Sequence, residues 1–131
     1  WGIFEDRFGN IRRQFFVDIN GTMDGNTLIL DESFVFSDGE KSTRQWRIKK
    51  TDEGHYVGEA DDVVGLAHGV ASGNALNWQY ILDLSIGENS KMKVKFNDWM
   101  FLQPDGVLLN RARVSKFGVE IGQVTIAFVK S

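Results

Sequence analysis

At 131 residues, 42% of them hydrophobic, the chain suits a single domain with a core of its own, and the absence of cysteine excludes disulfides and thiolate metal sites. A net charge of −3, from 15 basic and 18 acidic residues of mixed placement, lacks the basic footprint that DNA or RNA binding requires. No run approaches the roughly 18 apolar residues of a membrane-spanning helix, and no basic, apolar and cleavage regions of a signal peptide open the chain.

Trp1 to Arg7 reads as a first strand ended by Phe8-Gly9-Asn10. A start inside an element predicts that the natural protein has a further piece upstream of Trp1, such as a targeting segment, which intact-mass analysis checks. Phe15, Val17 and Ile19 then alternate with Phe16, Asp18 and Asn20, a half-buried strand pattern. After a turn at Asp24-Gly25, Thr27 to Phe36 sets Leu28, Leu30, Phe34 and Phe36 on one face. Ser37 to Glu40 turns the chain into Ser42 to Lys50, where Arg44, Trp46 and Ile48 share a face.

Asp52-Glu53-Gly54 and a short strand from His55 to Ala60 follow. In the next segment Gly65, Gly69 and Gly73 recur every four residues, predicting one bare strand face that admits a close neighbour, a bend or a ligand. Asn74 to Leu84 resumes alternation with Leu76, Trp78, Tyr80, Leu82 and Leu84 on one face, and Gly87 to Ser90 turns the chain. Lys91 to Gly118 is a long hairpin about Pro104-Asp105-Gly106, and Val119 to Lys130 is the last strand. About nine or ten sequential strands with short loops predict an all-β, up-and-down antiparallel meander closing into a lipocalin-like (calycin) barrel, with a two-sheet sandwich as the alternative.

Pairing Gln103 with Val107 sets Trp99 opposite Arg111, Asn97 opposite Arg113 and Met100 opposite Asn110. Asp98 and Asn110 then share one face of the hairpin, and Asn97, Trp99, Arg111 and Arg113 share the other. Arg111 and Arg113 form either a buried guanidinium pair for a carboxylate or phosphate head group, or an outer pair whose stems cover Trp99. Asp61 and Asp62 point to opposite faces, as do Glu5 and Asp6, which favours ion pairs and loop caps over a joint site. Asn74, Asn77, Asn97 and Asn110 suit backbone hydrogen bonding near strand ends. His55 and His68 lie in no zinc or haem spacing, and no serine-hydrolase, P-loop or dinucleotide motif is present. The run Lys41 to Lys50 reads as a solvated strand rather than an RNA surface.

Gly2-Ile3-Phe4-Glu5-Asp6-Arg7, Asp61-Asp62-Val63-Val64-Gly65, Gly73-Asn74-Ala75-Leu76-Asn77-Trp78 and the stretch from Asn110 to Gly118 resemble a bacterial lipoprotein family known only as a domain of unknown function. The resemblance spans nearly the whole chain. It implies a calycin-type barrel, a periplasmic or cell-envelope location and an N-terminal lipid anchor, whose signal and cysteine are not in this sequence; it carries over no catalytic residue.

Three readings follow: an envelope protein, not an enzyme, that binds a lipid or other apolar small molecule in the barrel; an enzyme acting on a lipid-like or isoprenoid substrate with Glu5, Asp62 or Asp98 as acid or base; and a structural or assembly module with a filled barrel. Candidate binding residues are Arg111, Arg113, Trp99, Asn110, Asp98, Asn97, Trp78, Trp46 and Glu5. The expected partner is a hydrophobic or amphiphilic small molecule. Nucleic acid, metal and cofactor are not expected, and membrane contact is expected only through the lipid anchor.

Overall fold

The computed structural model describes residues 1–86 and 90–130, none of them helical. Among these residues the strands are β1 (Gly2–Asp6), β2 (Ile11–Asp24), β3 (Thr27–Phe36), β4 (Lys41–Asp52), β5 (His55–Glu59), β6 (Ala67–Ser72), β7 (Ala75–Ile86), β8 (Ser90–Leu102), β9 (Leu108–Lys116) and β10 (Val119–Phe128). Each pairs antiparallel with the next, and β1 pairs with β10 from Gly2↔Ile126 to Asp6↔Gly122, so the sheet closes into a barrel. The sandwich alternative is therefore set aside. The expected turn at Gly87 to Ser90 falls largely outside the described residues.

The central hairpin has the register that its turn chemistry dictates. Val107 and Gln103 bond across the loop at 2.8 Å, Gly106 takes φ of 87°, and the Asp105 carboxylate accepts from the Val107 amide. Trp99 lies opposite Arg111 and Met100 opposite Asn110.

Alternation sends one face of every strand inward. One core cluster gathers Trp46, Trp78, Tyr80, Leu82, Val94 and Val114, and a second gathers Phe15, Val17 and Ile126; Val124 packs against both. The expected bare glycine face is corrected here. Gly65 sits at φ of 69° in the bend before β6 and Gly73 at 60° in the turn after it, and only Gly69 lies within the strand. A Cβ on Gly69 would stand 2.6 Å from the Trp78 ring, and one on Gly58 in the neighbouring strand would do the same. The space left by these glycines is filled by indole.

Candidate functional site

Charged side chains on inward strand positions need partners, because burial without them is costly. Glu32 in β3 and Arg44 in β4 face each other across the ladder, both turned inward. Arg44 gives a forked set of bonds to Asp62: Nε to Oδ1 at 3.0 Å and Nη2 to Oδ2 at 2.9 Å. Its Nη1 lies 3.8 Å from Glu32 Oε1, an ion pair without a hydrogen bond. Asp62 belongs to the β5–β6 connection, which is tied to β7 by the Val63↔Leu82 bridge and by the Asp83 amide donating to the Asp62 carbonyl at 2.8 Å.

Deeper in, Asp98 of β8 lies in register with Trp78 and Ala112. Trp46 and Tyr80 meet edge to face at 5.1 Å, and Tyr80 stacks on Phe96 at 5.2 Å. Exposure falls from the Asp62 side chain at 40%, through Arg44 at 19% and Glu32 at 14%, to Asp98 at 8% for the whole residue. The cluster therefore runs from the surface into the barrel.

The electrostatics follow from that gradient. Burial pushes the Asp98 carboxyl up to about 7, aided by the nearby charge of Glu32 and opposed by Arg44 and the Tyr80 hydroxyl. Burial likewise raises Glu32, against the pull of Arg44. Burial works against the Arg44 charge, yet the Asp62 hydrogen bonds hold its pKa above the ordinary value. Burial raises the Tyr80 hydroxyl well above its usual range, so it stays protonated. Glu32 Oε1 and Asp98 Oδ1 are buried with no hydrogen-bond partner. These two oxygens lack a close donor, although the Trp46 ring N–H lies near the Glu32 carboxyl and the Tyr80 hydroxyl near that of Asp98, and each orphan costs on the order of 1 to 3 kcal/mol. Among the described residues, no three histidine or carboxylate side chains converge as a metal site would require.

Of the residues singled out from sequence, Asp98, Asn110, Trp78 and Trp46 are buried inside. Asn110 spends its amide on the Trp99 carbonyl at 3.2 Å. Arg111, Arg113, Trp99 and Asn97 line a shallow open groove on the outer wall. The arginines are therefore not a buried clamp; they occupy the outer position, where Arg111 Nε donates to Gln123 Oε1 at 3.0 Å. Glu5 is on the same wall and accepts from Gln123 at 3.3 Å. Asp61 pairs with Arg47 at the surface, and Asp6 caps its loop through the Phe8 and Asn10 amides.

Glu32 was missed from sequence. Its signal is a charge in the apolar series Leu28, Leu30, Phe34, Phe36, just as Arg44 interrupts the face of Trp46 and Ile48. Two charges on facing inward rungs mark a pair.

No curated protein and no solved structure matches the chain. A family profile described as "Protein of unknown function (DUF3833)" matches residues 1–130. The chain thus belongs to this family of unknown function, and its fold in this structure is a closed antiparallel barrel.

Proposed function

We propose that the barrel is a binding module for a small amphiphile whose polar end donates hydrogen bonds to Glu32 and Asp98 and whose apolar body lies against Trp46, Tyr80 and Phe96. The observation that carries this is the pair of unpartnered carboxyl oxygens buried beside aromatic walls. A few fixed polar groups among apolar side chains is the composition of small-molecule sites, and since Trp46, Tyr80 and Phe96 pack on one another in this structure, a guest reaches the two oxygens by parting those rings. Above the pH of about 7 at which Asp98 gives up its proton its oxygen is an acceptor, and an amine or alcohol head group then suits it better than a carboxylate. Envelope location with a lipid anchor, implied by the resemblance, belongs to the same reading and is tested by fractionating cells that express the native gene.

Titrating the protein with octylamine and octanoate, read by tryptophan fluorescence, tests the site. The amine should bind saturably and about tenfold tighter than the acid, the worth of one charge-assisted hydrogen bond, and Glu32→Gln with Asp98→Asn should erase the preference. Equal binding of the two probes, unchanged in the variant, sinks the reading.

A second reading has its own observation: an interior carboxyl titrating near neutrality is placed to act as a general acid or base. Native mass spectrometry separates the two. A binding module retains the same small molecule in wild type and, at lower occupancy, in Asp98→Asn, whereas an enzyme stripped of its acid retains an unconverted substrate of different mass.

A further inference from the structure

We propose that the outer wall of β8 and β9 rests on an anionic lipid surface. An apolar rung starts this wall in register: Leu109 of β9 faces Phe101 of β8, and Trp99 lies beside Phe101. These three large side chains are each at least 39% exposed. Contiguous apolar surface of this kind marks a contact site.

The next rungs along the same strands add charge of one sign. Trp99 stacks on Phe101 at 6.1 Å and stands opposite Arg111; Asn97 stands opposite Arg113. Beyond them Lys95, Lys93 and Lys91 occupy the outward positions of β8. The outward faces of β8 and β9 thus carry five cations and no acidic residue, in a chain whose net charge is −3. Their acidic contacts come from the borders: Asp83 at 3.9 Å from Lys91, Glu120 at 3.7 Å from Arg113, and Glu5 through Gln123.

Segregated cations call for an anionic partner, and the aromatic residues beside them suit the headgroup level of a bilayer.

Co-sedimentation of the full chain with vesicles of phosphatidylcholine, alone or with one third phosphatidylglycerol, tests the proposal. The protein should pellet only with the anionic vesicles, and less as sodium chloride is raised. Arg111→Gln with Arg113→Gln should weaken association about thirtyfold, and Lys93→Gln with Lys95→Gln by a similar factor. Trp99→Ala with Phe101→Ala should weaken it too, with melting temperatures checked for all three. Pelleting with neither vesicle, equal pelleting with both, or undiminished binding by both folded charge variants overturns the proposal.

Discussion

Asp98 couples the barrel interior to the pH of the medium. The folded protein holds its proton up to about pH 7, while an unfolded chain releases it near the ordinary 3.8. The folded state is therefore the proton-rich one between these values. Its stabilising contribution is complete below the lower pH and lost as pH rises to the upper one, a change on the order of 4 kcal/mol for a shift of about three units. Glu32, raised by the same cause, tilts stability in the same direction. In Asp98→Asn the neutral amide removes most of this slope. Thermal melts should show wild type losing stability from pH 4 to pH 8 while the variant keeps only the smaller slope due to Glu32 and, at pH 8, melts at or above wild type. Parallel curves for the two proteins would show that Asp98 is not the group responsible.

Among the elements, β5, β6 and β7 depend on one indole laid over two glycines. Gly69→Ala brings a methyl to 2.6 Å of the Trp78 ring, and such overpacking costs roughly 1 to 3 kcal/mol. Trp78→Leu should cost about 3 kcal/mol through the void it opens. Combined, each relieves the other, so urea denaturation should find the double variant more stable than the additive sum by more than about 1 kcal/mol. Strict additivity would mean that the two residues do not share that space. Strand positions and the register of the central hairpin were legible because alternation and the Pro104-Asp105-Gly106 turn are local signals. The inward or outward sense of β9 was not: Arg111 and Arg113 alternate with Asn110 and Ala112, so neither face is cleanly apolar, and only closure of the sheet decides. The glycine spacing misled for a related reason, since Gly65 and Gly73 serve turn geometry and a four-residue interval cannot distinguish that from a strand face. The pairing of Arg44 with Asp62 joins separate elements and has no local signature.

For the molecule as a whole, closure brings the two ends of the chain together, with the Trp1 amino group 3.3 Å from the Ala127 carbonyl. A permuted protein joined there by a short Gly-Ser linker and opened between Asp105 and Gly106 should keep its strand content by circular dichroism and melt within a few degrees of the parent. Failure to fold would show that the Pro104 hairpin must be continuous for the barrel to form. The seam has a further meaning for biosynthesis. β1 has only five residues, is made before the other nine described strands, and needs β10, the tenth of them, as its second neighbour. Until β10 emerges the growing sheet therefore offers at least one bare margin to other copies of itself, so yield in the cell depends on how quickly that short strand is captured once β10 is available.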